Sequence, residues 1–307
     1  MGSSRWSPDD WASYASTTKG KDRATVFTSR SLKTELDPLH IKIRESVDSD
    51  ANPNSTPVIV ALDVTGSMGD IPHQLIQGNL GTLMEELLAR RPVSDPHLMF
   101  MGVGDAEAGD LAPLQVTQFE ADIRIAEQLR EIFLEGRGGG NQHESYHLPW
   151  YFAATRTQTD ASTKRNKKGY LFTLGDEQPP QTLSRADVKR VLGEDLERDL
   201  TSQELLTMAE RNYHVFHIII EQGNHYRHAG ERVRREWSDL LGQRAIGLSD
   251  YTRLAEVIVA TIQANEGALH DDIIKSWTGD TGLVVAHAIK GLTANGGDGG
   301  SRGLTRL

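Results

Sequence analysis

The chain of 307 residues contains no cysteine. This absence excludes disulfide bonds, thiol nucleophiles and thiolate zinc sites, so any metal ligands must be histidine nitrogens or oxygen atoms. The sequence also lacks an apolar run near the roughly 18 residues that a membrane-spanning helix needs. Its first residues, MGSSRWSPDDWASYAS, contain no apolar core of a secretory signal. We therefore expect a cytoplasmic protein with no membrane partner.

Positive charge is scarce relative to negative charge. The chain has 33 lysines and arginines against 43 aspartates and glutamates, which gives a formal net charge of -10. A protein that binds nucleic acid needs a basic face, so this balance argues against nucleic acid as a partner. We interpret the two short basic clusters, KRNKK at 164–168 and RVRR at 232–235, as solvated loop or helix faces.

Short apolar segments alternate with longer amphipathic ones along the chain. Each short segment is rich in branched or aromatic residues, as is typical of a strand buried on both faces. The segments are PVIVALD (57–63), HLMFMGVGD (97–105), KGYLFTLGD (168–176) and YHVFHIII (213–220), with a shorter edge strand at 111–119. The alternation predicts an α/β fold with a doubly wound, mostly parallel open sheet and one antiparallel edge strand.

The composition also suggests how the chain is divided. Residues 1–50 are polar and show no clear period, so we expect an N-terminal extension that docks onto the core. Residues 51–265 form the predicted α/β domain. Residues 266–307 are predicted to contain a C-terminal helix and a glycine-rich, mobile tail.

Two of the predicted strands end in aspartate, at Asp63 and Asp176. In an open α/β sheet, ligands bind beyond the carboxyl ends of the strands, so the two side chains are expected to converge. After Asp63 the chain continues through Thr65 and Ser67, which can turn two hydroxyls toward the same point around Gly66. Carboxylate and hydroxyl oxygens suit Mg²⁺. The alternative is a helix start capped by Thr65 or Ser67, which needs no metal.

This pattern resembles the von Willebrand factor A domain, whose metal-ion-dependent adhesion site has the sequence D-x-S-x-S followed by a loop threonine and a loop aspartate. The resemblance extends from about Pro57 to Asn265. It departs from the family in the second loop, GGGNQHESY, where an asparagine stands in place of the threonine. When the family's ligand positions are carried over to this sequence, the implied metal ligands are Asp63, Thr65, Ser67, Asn141 and Asp176, with Glu144 as a fallback.

The resemblance implies a function as well as a ligand set. It implies an intracellular protein-protein interaction module in which Mg²⁺, or Mn²⁺ or Ca²⁺, binds an exposed Asp or Glu of a partner. Bacterial intracellular members often act beside MoxR-type AAA+ ATPases, which makes such an ATPase a candidate partner. On this reading the chain is not an enzyme.

The segment from His143 to His147 reads HESYH, which matches the H-E-x-x-H pattern of zinc proteases. Three glycines precede it and Pro149 follows closely, which argues against one helix that carries both histidines. Asn141 and Glu144 could instead form a helix capping box. The alternative functions are a metal-dependent hydrolase, with zinc at HESYH or Mg²⁺-dependent phosphate chemistry, and a structural subunit with an empty, degenerate site.

Overall fold

The computed structural model describes residues 5–74, 78–137 and 139–294. The predicted glycine-rich tail lies mostly outside these residues. Within them the strands are, in chain order, β1 (Arg44–Ser46), β2 (Thr56–Asp63), β3 (Pro96–Val103), β4 (Leu114–Val116), β5 (Thr157–Thr159), β6 (Gly169–Gly175), β7 (Thr182–Leu183), β8 (Leu200–Thr201), β9 (Tyr213–Ile220) and β10 (Ala245–Leu248).

Helices connect these strands and cover both faces of the sheet. The α-helices are α1 (Pro8–Thr18), α2 (Arg23–Val26), α3 (Ile71–Gln74), α4 (Leu80–Arg90), α5 (Arg124–Arg130), α6 (His147–Thr155), α7 (Asp160–Arg165), α8 (Arg185–Leu192), α9 (Ser202–Ala209), α10 (Tyr226–Leu241), α11 (Leu254–Asn265), α12 (His270–Lys275) and α13 (Asp280–Ile289). Across the described ranges, each helix is too short or too polar to cross a lipid bilayer.

The central sheet has six strands in the order β10-β9-β6-β2-β3-β4. Neighbouring strands are parallel, except that β4 pairs antiparallel with β3 at the edge. The register places Val60 of β2 between Phe100 of β3 and Phe172 of β6. The predicted α/β class, with a mostly parallel open sheet and one antiparallel edge strand, is confirmed.

Strand β2 shows why the apolar runs are continuous. Its side chains alternate between the two faces of the sheet. Val58 and Val60 pack into one hydrophobic core with α4, α5, α11 and α13, whereas Ile59 and Ala61 pack into a second core with α6, α8, α9 and α10. Since helices bury both faces of the strand, nearly every position along it must be apolar.

The segments outside residues 51–265 also pack against the sheet. Tyr14 of α1 belongs to the first core, and its hydroxyl donates a hydrogen bond to the carbonyl oxygen of Ala126 at 3.0 Å. Strand β1 pairs with β5, and Val285 and Ile289 of α13 lie in the same core as α11. The boundaries at residues 50 and 265 remain a prediction, and the hydrophobic core extends across both.

Candidate metal centre

Three buried aspartates lie at the carboxyl edge of adjacent strands. Asp63 is the last residue of β2, Asp176 directly follows β6, and Asp105 comes two residues after the end of β3. The strand order β6-β2-β3 makes these chain ends neighbours. All three side chains are fully buried. The sheet topology therefore brings together acidic residues that are far apart in sequence, at the edge where open α/β sheets bind ligands.

The first loop, residues 63–69, folds around the Asp63 carboxylate. Asp63 Oδ1 accepts hydrogen bonds from the backbone N–H of Thr65 at 2.8 Å and from its hydroxyl at 2.6 Å. The Thr65 and Ser67 hydroxyl oxygens are 3.3 Å apart. Thr65 directly precedes the short 3₁₀ helix Gly66–Met68, but its side chain makes no capping hydrogen bond, as the capping alternative would require. Its hydroxyl is held at the carboxylate instead.

The loop that follows β6, which we call the third loop, brings Asp176 against Ser67. Asp176 Oδ1 accepts a hydrogen bond from the Ser67 hydroxyl at 2.7 Å, and Oδ2 accepts one from the backbone N–H of His225 at 2.8 Å, just before α10. A Cβ atom on Gly223 would lie 2.2 Å from the Asp176 side chain, so only glycine permits this approach. The positive end of α10 thus faces the carboxylate.

The two candidate ligands of the second loop, Asn141 and Glu144, lie near different side chains. An atom at the Cβ position of Gly139 would lie 3.0 Å from Asp105 Oδ2 and 3.1 Å from Asn141 Oδ1, so the Asn141 amide and Asp105 both approach Gly139 and lie near each other. Neither amide atom of Asn141 has a hydrogen-bond partner within the described part of the chain. Glu144 is buried, interacts with the Thr65 side chain and leaves Oε2 without a partner among those residues.

The predicted ligands thus fall into two sets. Asp63, Thr65, Ser67 and Asp176 form one hydrogen-bonded network. Glu144, the fallback ligand, contacts that network through Thr65, whereas Asn141 adjoins Asp105.

The carboxylates of this centre repel one another. Burial first, and the Asp176 carboxylate second, raise the pKa of Asp63. Burial, Asp63, Glu177 and Asp105 raise the pKa of Glu144, and burial with the neighbouring aspartates raises that of Glu177 to about 8. In the described ranges, no lysine or arginine forms a salt bridge with these five side chains. Within those ranges, no lysine or arginine side chain offsets their negative charge.

The donor set fits a hard cation that is also held by neutral oxygens. No group of three or more His, Cys, Asp and Glu side chains in residues 5–74, 78–137 and 139–294 is placed to hold a metal ion by itself. The hydroxyls of Thr65 and Ser67 and the unpartnered oxygen of Glu144 supply further donors. Mg²⁺ commonly keeps several waters and takes only one or two carboxylates. The residues present are compatible with that mode of binding.

Tyr146 is a site residue that sequence reasoning missed. Its hydroxyl donates a hydrogen bond to Asp63 Oδ2 at 2.8 Å, so both carboxylate oxygens of Asp63 have donors. A Cβ atom on Gly175 would lie 2.0 Å from the Tyr146 hydroxyl oxygen. The only sequence signal for this contact was the glycine directly before Asp176.

The HESYH segment does not form one helical unit. His143 lies in a loop, and its Nε2 is 3.2 Å from Glu107 Oε2. His147 is the first residue of α6, with its Nε2 3.1 Å from the carbonyl oxygen of Thr182. Burial lowers the pKa of His147 to about 4. The two rings have separate partners, and the glutamate between them belongs to the carboxylate cluster.

The residue at which α6 begins also tests the alternative that Asn141 and Glu144 form a capping box. The helix begins at His147, with Tyr146 as the residue before it. A capping box formed by Asn141 and Glu144 is therefore wrong. Pro149 lies in the first turn of α6, where its missing N–H costs no hydrogen bond.

No protein-family model and no curated protein matches the chain. Solved structures with a similar fold include the pilus adhesin SpaC from Lactobacillus rhamnosus GG in its open conformation, at 8% identity over 71% of this chain and 31% of the adhesin, with a TM-score of 0.46. A von Willebrand factor type A protein from Catenulispora acidiphila is 16% identical over 69% of this chain and 42% of that one, with a TM-score of 0.39.

A third similar structure is proximal thread matrix protein 1 from the mussel byssus, described with a zinc-occupied adhesion-site motif. It is 9% identical over 73% of this chain and 48% of that chain, with a TM-score of 0.41. The chain thus spans less than half the length of each of these three proteins. At such identities the similarity concerns the fold alone.

Proposed function

We propose that this chain is a metal-dependent protein-binding module of the von Willebrand factor A type. The proposal is carried by the network in which two strand-end carboxylates, Asp63 and Asp176, are joined by the hydroxyls of Thr65 and Ser67. The uncompensated charge around that network supports a bound divalent cation. Such an ion would neutralise the repulsion that raises the pKa of Asp63.

In this proposal the first loop supplies Asp63, Thr65 and Ser67, and the third loop supplies Asp176. The second loop supplies Glu144 beside Thr65 or Asn141 beside Asp105. When bound, the ion acts as an electrostatic anchor for an anionic oxygen. We propose Mg²⁺, with Mn²⁺ or Ca²⁺ as substitutes, because all the donors are oxygens.

The partner in this proposal supplies an acidic side chain. Two of the proposed ligands, Thr65 and Ser67, are neutral, so the ion keeps positive charge that attracts an outside carboxylate. Ser67 is half-buried, whereas Asp63 and Asp176 are fully buried, so the open side lies at Ser67. We propose a cytoplasmic location, and a MoxR-type AAA+ ATPase is the partner class that the resemblance implies.

Direct metal binding tests the proposal. Isothermal titration with Mg²⁺ and Mn²⁺ should give saturable binding to the wild type. Ser67→Ala and Asp176→Ala should reduce the affinity at least about tenfold, because loss of even an outer-shell partner of a metal ligand commonly costs about 10-fold to 100-fold in affinity. Ser238→Ala removes an exposed hydroxyl on α10 and serves as the matched control. Equal binding by all four proteins would place the ion elsewhere and overturn the ligand assignment.

A further inference from the structure

Helix α10 begins beside the carboxylate cluster and presents a basic face to solvent. The stretch from Tyr226 to Arg235 contains four arginines and one glutamate, although the whole chain carries a formal charge of -10. Arg227, Arg232 and Arg235 are exposed. They line an open depression of about 560 Å³ together with Tyr226. We call Arg227, Arg232 and Arg235 the arginine face.

Some of the positive charge on α10 is already neutralised. Arg232 lies 2.7 Å from Glu236, and Arg234 lies 2.8 Å from Glu221. The side chains of Arg227 and Arg235 have neither a salt bridge nor a hydrogen bond with any part of the chain that the structure describes. Two guanidinium groups on the helix that begins beside the candidate metal centre are therefore available to an anionic partner.

The arginine face is continuous with the metal centre. The residue before α10, His225, donates its backbone N–H to Asp176 Oδ2 at 2.8 Å. The backbone N–H of Asn224 donates to the carbonyl oxygen of Ser67 at 3.2 Å. Arg232 Nη1 lies 2.9 Å from the side-chain oxygen of Gln142, in the second loop. These three contacts hold the start of α10 and the side chain of Arg232 against the loops of the candidate metal centre.

We propose that the arginine face is the second half of the docking surface and selects a partner segment with clustered acidic residues. This inference rests on the proposed function, since the metal anchors the first carboxylate. A straight helix would rise about 15 Å from His225 to Arg235, at roughly 1.5 Å per residue, and the kink of α10 at Ala229 makes this an upper value. An extended peptide covers that distance in about five residues. The partner thus places further Asp or Glu side chains within about five residues of the one on the metal.

A short acidic polypeptide fits this surface better than other polyanions. The basic face is limited to three arginines, and the rest of the chain is strongly acidic, so it would repel the extended backbone of a nucleic acid. The chain's own C-terminal residues, SRGLTRL at 301–307, contain arginines and no acidic residue. Their charge does not complement this face.

Two fluorescent peptides test the inference on the full-length protein. Both are eight-residue glycine-based peptides with one aspartate; one has two glutamates four and five positions later, and the other has glutamines there. Fluorescence anisotropy is measured in Mg²⁺ and in EDTA. In Mg²⁺ the glutamate peptide should bind the wild type about tenfold more tightly than the glutamine peptide, since two exposed ion pairs each contribute at most about 1 kcal/mol, roughly fivefold.

The matched variants separate the arginine face from general charge effects. Arg227→Ala/Arg235→Ala should bind the two peptides equally, whereas the control Arg30→Ala/Arg211→Ala, which removes two exposed arginines elsewhere, should keep the tenfold preference. A preference that persists in the first variant overturns the inference. The inference is also overturned if the two peptides bind equally at peptide concentrations up to about 1 mM, or if an eight-nucleotide DNA strand binds more tightly than the glutamate peptide.

Measurements in EDTA and with Ser67→Ala distinguish failure of this inference from failure of the proposed function. If EDTA and Ser67→Ala leave binding unchanged while the arginine variant abolishes the glutamate preference, the arginine face stands and the metal-bridged mechanism fails. If EDTA abolishes binding but the arginine variant retains the preference, the metal mechanism stands and the arginine face fails.

Discussion

Replacement of Asp63 by asparagine should make the protein insensitive to Mg²⁺ without weakening the metal-free fold. The side chain is fully buried, and both carboxylate oxygens accept hydrogen bonds, from Thr65 and from Tyr146. Asparagine has nearly the same shape and can still accept the Thr65 hydrogen bonds through its oxygen. It removes the negative charge that a cation would bind and that Asp176 repels in the absence of a cation.

The magnitude follows from the carboxyl group's pKa. Burial first, and the Asp176 carboxylate second, raise the pKa of Asp63 above its usual value of 3.8. Because the folded value lies above the unfolded value, this contribution to stability is fully present below about pH 4 and is lost as the pH rises through the folded pKa. Each tenfold change in proton affinity corresponds to about 1.4 kcal/mol, so the loss at pH 8 outweighs the roughly 1 kcal/mol of hydrogen bonding that asparagine gives up.

Thermal unfolding at pH 8 provides the assay. In EDTA, Asp63→Asn should be at least as stable as the wild type. With Mg²⁺ at about 100 times its Kd, the wild type should gain roughly 2.7 kcal/mol, or about 4 °C in Tm for a chain of 307 residues. The variant should gain nothing, whereas the exposed Asp239→Asn should respond like the wild type. Equal Tm shifts in all three proteins would refute the reasoning.

Three further predictions concern the same centre. Gly223→Ala should weaken Mg²⁺ binding by at least about tenfold in a calorimetric titration, because the added Cβ would lie 2.2 Å from Asp176 and displace its carboxylate. If the variant binds Mg²⁺ as tightly as the wild type does, the loop has moved to accommodate the Cβ and the prediction is wrong. His143→Ala should leave zinc content and the Tm shift with Mg²⁺ unchanged, since its ring pairs with Glu107; stoichiometric zinc that is lost in this variant would revive the peptidase alternative. In EDTA, the urea midpoint of the wild type should fall between pH 5 and pH 8, because burial raises the pKa of Glu177 to about 8. Glu177→Gln should make this fall smaller without abolishing it, since Asp63 also contributes; an equal fall in both proteins would contradict the role of Glu177.

Features that depend on neighbours in sequence could be predicted from the sequence alone. The continuous apolar runs of β2, β6 and β9 identified buried parallel strands, because a strand covered on both faces must be apolar at every position. The spacing of Asp63, Thr65 and Ser67 likewise indicated a loop that turns its oxygens inward. That geometry is local, since the hydrogen bonds from Thr65 to Asp63 span two residues.

Features that depend on distant contacts could not be predicted. The second loop has no periodicity, so only its packing decides that Glu144 adjoins Thr65, that Asn141 adjoins Asp105 and that Tyr146 donates to Asp63. The arginines of the basic cluster at 232–235 are exposed, as a solvated helix face should be, but its sequence does not show that α10 begins beside Asp176. Both placements arise from the order of the strands in the sheet, which joins chain segments that no local pattern relates.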